Sequence, residues 1–359
     1  MKITTLVSLT AATALALTGC AANEATTSSS AGSKGASITL AGKGSSAQSA
    51  AMQKWIADYQ AKNAGITINY SPDGSGAGRD GFGSGAVAFA GSDRAYTPAE
   101  LTSLAFTRCA PGTKALDLPV YISPIAVIFK VDGVTDLKLD ADTLAGIFSA
   151  KITKWNDPAI VALNPGVTLP AANITAVHRS DDSGTTTNFT DYLAKAAPSV
   201  WTEKAAGTWP AAFAGEAAKG TSGVVDAVKS GQNTIGYADE SQAGTLGKAS
   251  LKVGTEFLAP TADAAAKIVD ASPIEPGRAA GDLALTLDRK ATGVYPAVLV
   301  SYALVCQTYA KADEGAAVKA FLTYVTSAEG QASAKAAAGS APLSAAMTAK
   351  VKAALDSIK

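Results

Sequence analysis

The chain has 359 residues, of which 47% are apolar and 17% charged, and its 30 basic residues balance 30 acidic ones. A chain of this size buries a substantial core and has room for two lobes. The balanced charge gives no basic surplus for a nucleic-acid partner and no polyelectrolyte surface, so a bound anion must be held by local dipoles and one or two positive side chains.

Lys2 opens an apolar run that ends in Leu17-Thr18-Gly19-Cys20. A basic start, a short apolar stretch and small residues before a cut site read as a secretory signal, and the run is too short for a comfortable membrane span. The tetrad resembles a bacterial lipobox, which implies a signal peptide over residues 1–19, cleavage before Cys20 and a lipid on its thiol. The alternative is an ordinary signal peptide with an incidental cysteine. The Ala-, Ser-, Thr- and Gly-rich residues after Cys20, to position 36, read as a flexible tether from a lipid anchor on the outer face of the cell membrane.

Folded structure is expected from Ile38-Thr39-Leu40, a strand running into Gly42-Lys43-Gly44-Ser45-Ser46. Ala51, Trp55 and Tyr59 then recur at helical spacing, with Ser45 or Ser46 as N-cap. A P-loop is rejected, because Ser37 stands where its first glycine belongs and Gly44 follows Lys43. A second strand, Ile66–Tyr70, leads into a stretch where glycine takes six of the twelve positions from Gly74 to Gly85. That stretch is either a long loop or a weak helix kept for backbone access. A third strand, Ala86 to Ser92, ends at Asp93. Three turns rich in glycine, serine and acid thus follow three strands, and ligands gather at the carboxyl ends of strands in open α/β sheets.

Thr97-Pro98-Ala99-Glu100 has the form of a helix start, and Asp142 to Phe148 reads as a further helix. The apolar run Ala115–Ile128 carries Pro119 and Pro124, which confine it to an edge, a bend or a crossover. It is expected to leave the first lobe, and the run Val294–Cys306 to return to it. The last helices would then pack on the first lobe. This path brings Cys109 near Cys306, and export to an oxidising compartment favours a disulfide between them; the alternative is two buried thiols. No Cys/His spacing supports a metal site, and no cofactor is expected.

The strand Asn173–His178 delivers the stretch HRSDDSGTTTNF, residues 178–189. Arg179 supplies a planar fork for a tetrahedral oxyanion. Ser183-Gly184-Thr185 puts hydroxyls and free N–H groups at a helix start, a ready anion site. Three other chemistries use the same residue types. An aspartic-type hydrolase built on Asp182-Ser183-Gly184-Thr185 needs a second such motif, and none exists. A Ser183–His178 pairing lacks the spacing of a triad and the nucleophile elbow. A phosphatase needs a nucleophile with its base, or a metal cluster.

Together these turns resemble the phosphate-binding proteins of high-affinity phosphate ABC transporters, the PstS family. The likeness runs from about Ile38 to the C-terminus, with the motifs in the family's order. Gly42–Ala47 matches the first turn, Gly74-Ser75-Gly76 the second, Gly91-Ser92-Asp93 the third, and Arg179–Thr185 the fourth. The resemblance implies phosphate contacts from Ser46, Ala47, Ser75, Asp93, Arg179, Ser183, Gly184 and Thr185, with Asp181 steadying the arginine. Ala47 departs from a commonly larger residue, and the Gly74–Gly85 stretch is richer in glycine than a good helix.

The implied fold is α/β, a two-lobed periplasmic-binding-protein (type II-like) fold with two hinge crossovers. Residues 37–120 with 300–359 would form one lobe and 121–299 the other. The implied partners are inorganic phosphate and a membrane-embedded ABC permease with its ATPase. Another tetrahedral oxyanion, such as sulfate, is the nearest alternative ligand.

Overall fold

The computed structural model describes residues 37–359, so the leader, Cys20 and the tether up to residue 36 lie outside the described residues. The chain begins with strand β1 (Ile38–Gly44), helix α1 (Ser49–Lys62), β2 (Ile66–Ser71), α2 (Ser75–Gly83), β3 (Phe89–Ser92) and α3 (Pro98–Ser103). The glycine-rich stretch is therefore a helix, and β3 is shorter than expected. Ala51, Met52, Trp55 and Tyr59 form the buried stripe of α1. Its N-cap is Gln48, not a serine. Ser45 acts one turn earlier, its Oγ accepting from Ala47 N at 3.1 Å. Thr97 and Glu100 close a capping box at the start of α3.

Next come the long β4 (Ala115–Lys130), β5 (Lys138–Leu139), α4 (Ala141–Phe148), α5 (Pro158–Leu163), β6 (Thr175–Arg179), α6 (Gly184–Ala196), β7 (Glu216–Ala218), α7 (Gly220–Ser230) and β8 (Thr234–Asp239). The short strands β9 (Gly247–Lys248), β10 (Ser250–Val253) and β11 (Glu256–Leu258) precede α8 (Ala262–Ala271). After a stretch without helix or strand, β12 (Val298–Cys306) and helices α9 (Ala312–Val325), α10 (Ala328–Ala338) and α11 (Ala345–Ser357) complete the chain.

The main sheet runs β2-β1-β3-β12-β4-β8-β6-β7, with β9 also paired to β4. Strands β1, β2 and β3 are mutually parallel at one end, and β6, β7 and β8 are parallel at the other. Between them β12 and β4 run antiparallel. The first part of β4, Ala115–Pro124, pairs with β12, and Ile125–Lys130 pairs with β8. That change of partner explains how two prolines sit in a central strand rather than at an edge. Pro124 stands where the ladder switches sides, and Pro119 lies beside a register shift between Ser301 and Tyr302.

The C-terminal helices pack against the β1–β3 end, where Trp55 Nε1 donates to Gly330 O at 2.7 Å. A disulfide joins Cys109 to Cys306, with Cα atoms 5.2 Å apart and 197 residues between them in sequence. On the chain-entropy account, closing so long a loop removes about 5 kcal/mol of denatured-state freedom. Among the described residues no helix is long and apolar enough to cross a membrane.

Candidate anion-binding site

Three antiparallel pairings separate β6 from the parallel strands β1 and β3, so the carboxyl ends of the two groups point opposite ways, and contacts among the residues that follow β1, β3 and β6 bring these turns together in one place. Asp93, just past β3, is at its centre and is 3% exposed. Its Oδ1 accepts from Ser45 Oγ at 2.5 Å and from Ser301 Oγ, and its Oδ2 accepts from Thr185 Oγ1 at 3.1 Å. Its backbone N–H donates to Ser75 Oγ at 3.1 Å, and its carbonyl accepts from Asn188 Nδ2 at 2.5 Å. The carboxylate thus gathers hydroxyls from β1's turn, β12 and α6. Each carboxylate oxygen can accept two hydrogen bonds, so Oδ2 keeps an accepting position beyond the one Thr185 fills.

Helix α6 starts where the sequence placed it. Ser183 is its N-cap, with Oγ accepting from Thr186 N at 3.1 Å. Gly184 is required by close approach: a Cβ there would fall 2.5 Å from Ser75 Oγ and 2.7 Å from Asp93 Cβ. The first N–H groups of α6, and those of α2 starting at Ser75, lack intrahelical acceptors and face this junction with the positive dipole ends behind them.

Arg179 closes the other side and is 2% exposed, so the surface ion pair that is the ordinary lot of an arginine does not describe it. Its Nε and Nη2 bond Asp181 at 2.8 and 2.5 Å. Burial pushes the Asp181 carboxyl up, but the hydrogen bond and charge of Arg179, with the Gly220 N–H at 3.0 Å, outweigh it and hold the group below the usual carboxylate range. The Arg179 backbone N–H donates to Tyr237 OH at 3.2 Å, and that hydroxyl also shares a hydrogen bond with Thr186 Oγ1 at 2.7 Å. Burial pushes Tyr237 up to about 12, so it stays protonated and fixes β6 and α6 as one unit.

Ser46 and Ala47 lie at the same junction with other engagements. Ser46 Oγ meets Thr221 Oγ1 at 3.0 Å and accepts from Thr221 N at 3.1 Å, while Gln242 Nε2 donates to the Ser46 and Ala47 carbonyls at 2.9 Å each. The start of α7 therefore joins the site, a contribution that sequence reasoning missed. Ser301 was missed as well, although a lone serine in the apolar run VLVSYALV was a visible signal. The register shift beside it brings Ser301 to the end of β3. Asn188 gave no signal. It bonds the Gly184 carbonyl at 3.0 Å and is itself held at 2.5 Å by the buried Arg289, so α6 is braced against the chain entering β12.

The hydrolytic readings find no geometry among these residues. The His178 ring stacks on Trp209 at 4.8 Å, with Nδ1 against the Arg179 carbonyl. Burial holds its pKa below the ordinary value. Asp182 faces Arg79 at 2.9 Å, not a second carboxylate.

A two-lobed α/β fold whose strand-end turns converge on one buried polar junction is that of the periplasmic solute-binding proteins, and the PBP superfamily domain matches residues 23–329. The phosphate-binding protein PstS 3 of Mycobacterium leprae is 38% identical over 325 residues, 87% of each chain. The phosphate-binding protein PstS of Methanocaldococcus jannaschii is 34% identical over 301 residues, 78% of this chain and 76% of its own. The chain belongs to the PstS family. In fold it is similar to the periplasmic phosphate-binding protein PfluDING, solved with phosphate bound, at a TM-score of 0.69 and 23% identity over 88% of this chain and 93% of the other.

Proposed function

We propose that this protein binds inorganic phosphate between its two lobes, outside the cytoplasm, and delivers it to a phosphate ABC import permease with its ATPase. The lobes are residues 37–120 with 300–359, and residues 121–299. The change of β4 partner at Pro124, opposite Val298, supports a hinge close to both boundaries. The phosphate contacts are Ser46, Ala47, Ser75, Asp93, Arg179, Ser183, Gly184 and Thr185, with Asp181 orienting Arg179.

The observation that carries this reading is the presence, at one junction, of a buried Asp93, a buried Arg179 and the N-terminal ends of α2 and α6. The arginine and helix ends favour an anion. The carboxylate admits only an anion that brings its own proton. Phosphate carries one near neutral pH and sulfate does not, so sulfate would set two unprotonated groups against each other. Ligand contacts to both lobes favour the closed form over the open one.

The protein acts as a receptor, not an enzyme, in this account. Ser183 Oγ caps α6 and His178 faces Trp209, so neither is poised as nucleophile or base. Purified protein should take up phosphate with one-to-one stoichiometry in calorimetry and leave p-nitrophenyl phosphate intact. Turnover of that ester would overturn the assignment.

The anchor is proposed from the Leu17–Cys20 tetrad alone. In bacterial cells a Cys20→Ser variant should shift from the membrane fraction to the medium or periplasm. Unchanged membrane retention would count against a lipid on Cys20.

A further inference from the structure

The two adjacent carboxylates after β6 divide between two arginines. Asp181 holds Arg179 within the same turn. Asp182 reaches the other way, its Oδ2 accepting from Arg79 Nη2 at 2.9 Å. Arg79 belongs to α2, which packs with β1 and β3 at the opposite end of the sheet from β6. It is the single basic residue in the glycine-rich stretch, and nothing in the phosphate contacts uses it. We infer that Arg79 and Asp182 form a latch that holds the closed form around its ligand and sets the rate of release.

The two partners are unequally placed, and that inequality gives the latch its direction. The Arg79 side chain is 3% exposed, whereas that of Asp182 is 49% exposed. On opening, Asp182 regains water at little cost. Arg79 would lose its nearest carboxylate and keep Ser92 Oγ at 3.0 Å on Nη1, with Glu100 only at 3.8 Å from Nε. Glu100 is already committed to Arg94, which it holds through both oxygens at 2.7 and 2.8 Å. Opening thus leaves the guanidinium with weaker charge compensation, which disfavours the open form. Burial and the like charge of Arg94 already act against the charged state of Arg79.

A second contact lies alongside. Gly76 N donates to the Asp182 carbonyl at 3.0 Å. A Cβ at Gly76 would fall 2.5 Å from Asp182 Cβ, so the glycine is what lets α2 reach this turn.

The inference rests on the phosphate-binding reading, and the test separates the two. Stopped-flow release and uptake of inorganic phosphate would be measured on the wild-type protein, Asp182→Asn, Asp182→Ala and Asp182→Glu. Removing the negative charge facing Arg79 in the Asn variant, or the charge and the hydrogen bond together in the Ala variant, should speed release by about tenfold. Uptake should change by less than about twofold, because encounter occurs in the open form. Asp182→Glu should restore part of the slow release. The ligand-free thermal midpoint should hold, since Asp182 is half exposed; the kinetic split is a readout that a merely structural role would not produce. Release at the wild-type rate in Asp182→Asn, with phosphate still bound, would overturn the latch and leave the phosphate reading standing. Failure of the wild-type protein to bind phosphate would overturn both.

Discussion

Arg179→Ala should weaken phosphate binding by about 10²–10³-fold, the largest loss expected from a single substitution in this protein. Arg179 is buried, with its guanidinium held by Asp181 and its backbone N–H donating to the Tyr237 hydroxyl. Removing it deletes the charge that offsets phosphate desolvation. It also leaves the Asp181 carboxylate with the Gly220 N–H as its remaining support, a negative group beside the anion. Breaking a buried ion pair in this way costs roughly 3–5 kcal/mol. Arg179→Lys should recover part of the affinity only, since a point charge cannot reproduce the fork. A second substitution, Asp181→Asn in the alanine background, separates folding from binding. It should restore thermal stability without restoring affinity in calorimetry. Wild-type affinity in Arg179→Ala would remove the residue from the site.

Asp93→Asn should have a smaller effect on phosphate and a larger one on selectivity. The substitution preserves the local geometry. An Asn Oδ1 still accepts from Ser45 and Ser301, and its amide can donate to Thr185 Oγ1 where the carboxylate accepted from it. What is lost is the acceptor for a proton on the ligand and the charge that repels an unprotonated anion. A site built on a buried hydrogen bond can reject an analogue lacking it by roughly 10⁴–10⁵-fold. Phosphate affinity should fall by roughly tenfold as one charge-assisted hydrogen bond goes, while measurable sulfate binding appears. Competition calorimetry reads both quantities. Equal sulfate exclusion by the variant and the wild-type protein would refute the role of Asp93.

Much of the site could be read from the chain because its parts are local. Glycine, hydroxyl and acid at a strand end specify a turn with exposed N–H groups, and Ser183, Gly184 and Thr185 lie at a helix start as read. The disulfide, which export and the path of the second apolar run favoured over two buried thiols, joins Cys109 to Cys306. What the sequence left open is how side chains pair across the junction. Nothing in Asp181-Asp182 says which carboxylate keeps Arg179 and which crosses to Arg79, because that depends on where α2 sits. Ser45 and Ser46 are adjacent and chemically alike, yet one serves Asp93 and the other Thr221. The two prolines of β4 were legible as a bend but not as a central strand, since only the change of ladder partner makes that position tolerable. Asn188 and Arg289 act through a segment without regular structure, for which periodicity carries no signal.

One buried junction should take up phosphate and refuse an anion of the same shape without a proton. Isothermal titration of the purified wild-type chain near neutral pH, first with phosphate and then with sulfate in a phosphate-free sample, tests it most directly. The expected result is a single saturable phosphate site and no heat from sulfate at the same concentrations. Sulfate binding of comparable strength, or no phosphate binding at all, would contradict it.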